Sequence, residues 1–363
     1  QSHNHETAIN AWRMVRVRSI SLLAAFMLAG AGAASAAEGE QRPLLERCWT
    51  ANALTAQSGE EATRRRRITL DLTALRRRIP PSMTPVPSGL RGSIRRVDLP
   101  PGRKLVALTF DLCETPFSIA GYDGPIVDYL RAHDMRATFF ASGKWFETHT
   151  ERAQQLIADP RFEVGNHGFE HRDFRRLGGA GLSDEIVLAQ AAYARARAKL
   201  AVRACLPDGL PSTDSLPPEQ MTLLRFPYGT CNAKALDAVA QNGLLAIQWD
   251  VVSGDPDPGR SARAIAAGIL KAVKPGSIVI AHANGRGRNT AGALPLVIPK
   301  LRAKGYEFVT VSELLAAGTP VIARSCYERR PGDNVHIGAV ARSRKKGKGT
   351  TDSDLRALLQ FPD

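Results

Sequence analysis

The chain has 363 residues, 44% of them hydrophobic, and a formal net charge of +14. That length suits one large domain or two ordinary ones, and the apolar fraction supports a sizeable core. The basic excess is clustered, as in Arg64–Arg67, Arg76–Arg78 and "RSRKKGK" near the C-terminus. These runs carry no interleaved aromatics, which leaves stacking on bases unsupported and argues against a specific nucleic-acid partner.

Taken in chain order, Arg16 and Arg18 precede the apolar run "SISLLAAFMLAGAGA", and Ala34 and Ala36 then form a small-residue cleavage pattern. A basic start, a short apolar middle and such an end read as a secretory signal over residues 1–36, with the first thirteen lying upstream of Met14. The run is short for a span, so no stable membrane span is expected after cleavage and the mature protein is expected to be periplasmic or secreted. In that compartment the basic flanks suggest weak electrostatic adhesion to anionic envelope polymer. Five cysteines, Cys48, Cys113, Cys205, Cys231 and Cys326, permit disulfides and leave at least one unpaired in a monomer. Cys205 with Cys231, and Cys48 with Cys326, are the pairings considered. No C-x-x-C pattern supports a cysteine zinc site.

Residues 37–102 read as a basic, proline-punctuated linker or extension. From there the texture alternates. The expected strands are "LVALTF", "ATFFAS", "FEVGNH", "TLLRFPYG", "LLAIQWDVV", "SIVIAHA" and "YEFVTV", and helical patterns lie between them. One of these, "LSDEIVLAQAAYARARAKL", takes Ser183 as its N-cap. Seven strands alternating with helices predict a parallel α/β domain over 103–320, which a closed barrel or an open doubly wound sheet would both satisfy. No G-x-G-x-x-G follows the first strand, which disfavours a dinucleotide fold. Residues 321–363 read as a basic, mobile tail with a weak helical end at "SDLRALLQF".

In a parallel barrel, chemistry collects at the C-terminal ends of strands. Here those ends carry Asp111; His167 and His171; Arg225, Pro227 and Tyr228; Trp249, Asp250 and then Asp255; and His282. A lone buried His or Asp is usually structural, but five such endings are harder to assign to packing. Trp249 reads better as core, Asp250 as a loop cap, Asp128 and Asp237 as solvated, and His133 and His149 as surface residues. "HGFEH", with Glu170 between the histidines, also has the spacing of one class of zinc peptidase. Gly168 and the preceding strand argue against the long helix that this chemistry needs.

The order of motifs resembles the NodB-homology polysaccharide deacetylases, carbohydrate esterase family four. That family's T-F-D-D, H-[ST]-x-x-H, R-x-P-Y, D-W-type and L-x-H motifs appear as "TFDL", "HGFEH", "RFPYG", "SGDP" and "IAH" between about Lys104 and Leu315. The resemblance implies a distorted (β/α)7 barrel that removes N- or O-acetyl groups from an acetylated glycan. It implies a divalent metal, zinc or else cobalt or another ion, held by two imidazoles and a carboxylate. Asp111 is then the general base, His282 the general acid, Asp255 its orienting partner and Arg225 the anchor of Asp111. The backbone N–H of Tyr228 would help hold the oxyanion.

The match breaks at Leu112, which stands where the family's second Asp ligates the metal, and at Gly168 and Pro256. The loop after Asp111 is also longer. Glu114 is the first choice for the missing ligand beside His167 and His171. Asp123 suits a helix N-cap better, and the third alternative is a metal held weakly by the two histidines and water, or absent. Cys113 carries no signal that favours ligation over packing or a disulfide. A metal-free glycan-binding barrel and a zinc peptidase stand as the competing functions.

Overall fold

The computed structural model describes residues 43–205 and 216–334. The expected signal over 1–36 and the weak helical end at "SDLRALLQF" lie outside the described residues. The described residues form twelve strands: β1 (Arg64–Arg65), β2 (Ser93–Asp98), β3 (Leu105–Leu112), β4 (Ser118–Ile119), β5 (Ala137–Ala141), β6 (Phe162–Asn166), β7 (Leu223–Leu224), β8 (Leu245–Ile247), β9 (Val251–Val252), β10 (Ile278–His282), β11 (Glu307–Phe308) and β12 (Thr319–Ala323).

The main sheet runs β12-β2-β8-β7-β6-β5-β3-β10-β9, with β11 pairing to β3 off this path. Every pairing in it is parallel except β12 with β2. The sheet curls into a half-barrel, an α/β architecture of the expected distorted (β/α)7 kind, mixed only at the β12 edge. Helices cover parallel strands on their outer side, so the central strands must be apolar on both faces. β3 meets this requirement, with all eight of its residues buried.

Strand alternation sorts the residues into two layers. Val106, Leu108, Phe110 and Leu112 pack outward with helix residues such as Ile126, Trp145 and Leu188. Leu105 and Ala107 face inward with Phe140, Leu223, Ile247, Ile278 and Ile280. The inward-facing residues are the ones that lead up to the mouth of the half-barrel.

Four expectations are corrected. Residues 37–102 are not a free linker in their described part: β2 is a sheet strand, and Leu45, Trp49 and Leu75 are buried in the outer core. "SIRRVD" forms a strand despite its arginines because Arg95 lies 3.8 Å over the Tyr327 ring and donates to the Glu328 carbonyl at 2.9 Å. The start of the expected tail is likewise structured, since β12 runs to Ala323 and the Asn334 side chain donates to the Gly229 carbonyl at 2.7 Å. The disulfides join Cys48 to Cys205 and Cys231 to Cys326, so both expected pairings are exchanged, and Cys113 is free. The long helix spans Gly179–Ala201 and starts before Ser183, with Gly178 as its N-cap. Among the described residues no helix is long and apolar enough to cross a membrane.

Candidate active site

Parity brings the polar strand ends together. Asp111 continues the inward series of Leu105 and Ala107, and His282 continues that of Ile278 and Ile280. The parallel register sets His282 directly beside Asp111. Leu112 belongs to the outward series and is fully buried beneath the helices, which explains physically why this position holds a leucine.

Arg225 fixes Asp111. Its Nη1 donates to Asp111 Oδ1 at 2.8 Å and to Thr109 Oγ1 at 2.7 Å, and its Nη2 donates to the Gln248 carbonyl at 3.2 Å. The guanidinium is wholly buried and lies 4.1 Å from the Phe140 ring centroid and 5.4 Å from that of Trp249. Burial lowers its pKa and Asp111 opposes that shift. Removing one partner of such a buried pair costs about 3–5 kcal/mol, because the other charge is stranded. Trp249 is core, as expected, and Asp250 accepts from Ile278 N at 2.9 Å and Ser277 Oγ at 3.0 Å, which is a structural cap.

His167 follows β6. Its Nδ1 lies 2.8 Å from the Arg225 carbonyl, and a carbonyl only accepts, so Nδ1 carries the proton. In the neutral ring the Nε2 lone pair then faces Cys113 Sγ at 3.4 Å and Asp111 Oδ2 at 3.6 Å. Burial works against a charge on this ring, but Asp111 and Cys113 outweigh it and raise the pKa.

The chain then turns at Gly168, whose φ is +74°, and a Cβ there would stand 2.8 Å from Glu185 Oε2. A serine or threonine here would be strained by the left-handed backbone and would displace the Glu185 carboxylate. His171 is itself left-handed, with φ 55°. The two histidines therefore converge across a loop rather than along a helix, with ring centroids 4.8 Å apart, and the helical premise of the zinc-peptidase reading is absent. Glu185, from the helix Gly179–Ala201, holds this loop by accepting from Phe169 N at 2.9 Å and Glu170 N at 3.1 Å. Burial pushes its carboxyl up to about 7. Sequence reasoning missed Glu185, which looks like any acidic residue in a helical stretch. His171 is 7% exposed, its Nδ1 is buried without a hydrogen-bond partner, and burial lowers its pKa.

The expected ligand Glu114 does not join this pair. Its Oε2 accepts from Ala120 N at 3.0 Å and Thr148 Oγ1 at 2.9 Å, and Lys144 Nζ lies 3.9 Å from Oε1. It is fully buried, and burial raises its pKa to about 7. Beyond the end of β3 it follows the outward direction of Leu112. Asp123 is the N-cap residue of the helix Gly124–Ala132, although its Oδ2 accepts from Gly285 N at 2.9 Å rather than from the helix. His149 is not a surface residue, as its ring stacks on Trp145 at 4.8 Å.

Among the described residues two groups bring their ligand atoms within 4.8 Å of one another: Cys113, His167 and His171, and Asp111, Cys113 and His282. Burial works against a charge on the Cys113 thiol, but His171 and His167 together hold it well below its ordinary pKa.

His282 is positioned by Asp255. The Nδ1 of His282 lies 3.0 Å from Asp255 Oδ1, and its backbone N donates to Oδ2 at 2.7 Å. Ser253 Oγ and Thr290 Oγ1 each donate to the same carboxylate at 2.7 Å. Burial works against a charge on His282, yet the Asp255 carboxylate raises its pKa well above the ordinary value.

Tyr228 completes the rim with left-handed backbone, φ 61°, and a 43% exposed side chain whose ring centroid is 4.5 Å from that of His171. Such backbone in a non-glycine residue is uncommon and persists where surrounding structure holds it. A cleft of about 40 Å³ opens over Cys113, His171 and Tyr228, with Thr63, Asn284 and Arg286 among its walls. A larger cleft of about 550 Å³ adjoins the histidine loop at Phe169, Glu170 and Arg172 and is flanked by Arg67 and Phe117.

A sequence-family model described as polysaccharide deacetylase matches residues 98–247. A chitooligosaccharide deacetylase of Bradyrhizobium sp. is 30% identical over 229 residues, covering 59% of this chain and 91% of the relative. A peptidoglycan-N-acetylglucosamine deacetylase of Bacillus cereus is 28% identical over 222 residues, covering 60% of this chain and 91% of the relative. A solved structure of a CE4 family pseudoenzyme from Bacillus anthracis aligns with a TM-score of 0.50 at 24% identity, covering 62% of this chain and 69% of that one, a likeness of fold alone. With a half-barrel whose strand ends gather Asp111, His167, His171, Arg225 and His282, and with relatives matched over most of their length, the chain belongs to the polysaccharide deacetylase family, the NodB-homology carbohydrate esterases of family four.

Proposed function

We propose that this protein hydrolyses acetyl groups from an amino sugar or acetylated sugar of a cell-envelope or chitin-like glycan. The observation that carries the reading is the pairing of two differently held groups at one mouth: Asp111 on a fixed arginine, and His282 on a fixed carboxylate beside it. A base and an acid side by side on adjacent strands are what acyl hydrolysis needs, and a binding barrel has no use for them.

In this reading Asp111 takes a proton from the attacking water, and Arg225 holds the carboxylate in place while it does so. His282 gives a proton to the departing nitrogen or oxygen. Its Nδ1 is engaged by Asp255, which leaves Nε2 for that transfer. The Tyr228 backbone N–H, in its left-handed turn, is the group assigned to the developing oxyanion.

His167 and His171 fit a divalent ion, since the neutral ring of the first presents its Nε2 lone pair toward the site and the second has a buried nitrogen without a partner. Held by these residues, such an ion, zinc or cobalt being suited to imidazole, would supply Lewis acidity toward the acyl carbonyl. The cleft beside Phe117 suits further sugar units, because Phe117 is 66% exposed and offers an apolar face. Two disulfides in the described residues favour an oxidising, periplasmic or secreted setting.

The test is acetate release from N-acetylated chitooligosaccharides, peptidoglycan and acetylated xylan, with zinc or cobalt added. Acetate from at least one of them is expected. Peptide cleavage without acetate would overturn the reading in favour of a peptidase, and glycan binding with neither product would overturn it in favour of a lectin-like barrel.

A further inference from the structure

We infer that Cys113 is the third protein ligand of the metal site, so that this chain holds its ion with one thiolate and two imidazoles. The inference rests on the metal-site reading above and adds a donor that the family motif does not contain.

Three observations carry it. First, alternation past the end of β3 turns residue 113 back toward the mouth, on the side of Asp111, whereas Leu112 lies in the outer core. The segment is held in that path: the Cys113 carbonyl accepts from Asn284 Nδ2 at 2.8 Å, and Glu114 N donates to Ser142 Oγ at 3.0 Å. Second, Cys113 Sγ is 3.4 Å from His167 Nε2. A sulfur and a nitrogen bound to one tetrahedral zinc, at about 2.3 and 2.0–2.1 Å, stand about 3.5 Å apart. Third, the remaining member of the group, His171, is 7% exposed and has an unpartnered buried nitrogen. A buried imidazole with a free nitrogen beside a thiol and a second imidazole is an incomplete shell, which a cation completes.

The cysteine inventory agrees. All five cysteines of the chain fall in described residues, four of them in disulfides, and Cys113 is the single free thiol. A thiol in an oxidising compartment is exposed to oxidation unless it is protected, and ligation protects it. A thiolate also changes the preference of the site: it selects zinc or another soft ion over magnesium or calcium, which a carboxylate in its place would tolerate.

The test uses the full chain with its disulfides intact, stripped of metal and titrated with Co²⁺ in the absence of substrate. We expect a thiolate-to-cobalt charge-transfer band in the near ultraviolet that saturates at one cobalt per chain. Cys113→Ser loses the band and binds cobalt at least about 10–100-fold more weakly, the range that supporting residues alone command. Cys113→Asp keeps stoichiometric cobalt without the band. If the serine variant fails to fold, thiol counting on the wild type decides: alkylation of the single thiol is blocked by metal and restored by a chelator. Stoichiometric cobalt with no thiolate band overturns the inference, as does a wild type that binds no cobalt or a thiol alkylated equally with and without metal. An acetylated Cys113 trapped from metal-free protein would overturn it too, making the thiol a nucleophile. The spectrum is read without turnover, so its failure is distinct from a failure of acetate release.

Discussion

At the His282 corner the side chain that matters has been given its partners. Asp255 accepts from the imidazole, from a backbone N–H and from two hydroxyls, and the whole arrangement is closed within the protein. At the His171 corner the backbone is left-handed, the ring lies against another imidazole and a thiol, and one buried nitrogen has no partner. The first corner is satisfied by the chain's own groups, and the second has a buried nitrogen that the chain leaves unpaired. Buried polar atoms are seldom left unsatisfied without a reason, so in the proposed function the contrast divides the site into a half assigned to proton transfer and a half assigned to a ligand.

Mutations aimed at each half test that separation. His167→Ala has the largest expected effect: bound metal falls to background and acetate release falls with it, as metal analysis and an acetate assay on one sample will show. Full metal content in that variant would break the division. His282→Ala is expected to keep its metal and lose about 10²–10⁴-fold in acetate release, the usual worth of a positioned general acid. Metal loss in this variant would mean that the corners are not independent.

Asp255→Asn acts less strongly and is read from a pH profile. The carboxylate raises the His282 pKa, so removing its charge lets the imidazole lose its proton at lower pH. The basic limb of the rate profile should move toward acid, and a limb that stays put would assign the acid elsewhere. The same pair stabilises the fold below the ordinary histidine pKa, and that contribution fades as pH rises through the raised value.

The smallest effect is expected for Glu114→Gln, which should change metal content and acetate release by less than about twofold, because its carboxylate lies outside the mouth. Its signature is in stability. The folded carboxyl sits at about 7 against an ordinary 4.5, so the wild type loses stability as pH rises through that window. Urea unfolding at pH 5 and pH 8 should show a smaller difference in the variant.

The strand-end chemistry was legible in the sequence because parallel strands place their C-terminal residues at one mouth, and Asp111, His167, His171, Arg225 and His282 each end a strand or follow one. What sequence position alone does not convey is which side of a strand a neighbour faces. Counting from Leu105 puts Asp111 and Cys113 on one side and Leu112 and Glu114 on the other, and chemical type drew attention to the carboxylate instead of the parity. Glu185 was hidden because its work is done on backbone N–H groups of a distant loop. The disulfides and the strand "SIRRVD" depend on which segments pack together, and arginines that stack on rings or bond to carbonyls read on paper as solvated charge.

The most direct test of the acyl-hydrolysis account is acetate release by Asp111→Asn, with bound metal counted in the same sample. Asparagine keeps an oxygen for Arg225 but cannot accept the water's proton. The account predicts retained metal and a loss of about 10²–10⁴-fold in acetate release; undiminished release with metal in place would contradict it.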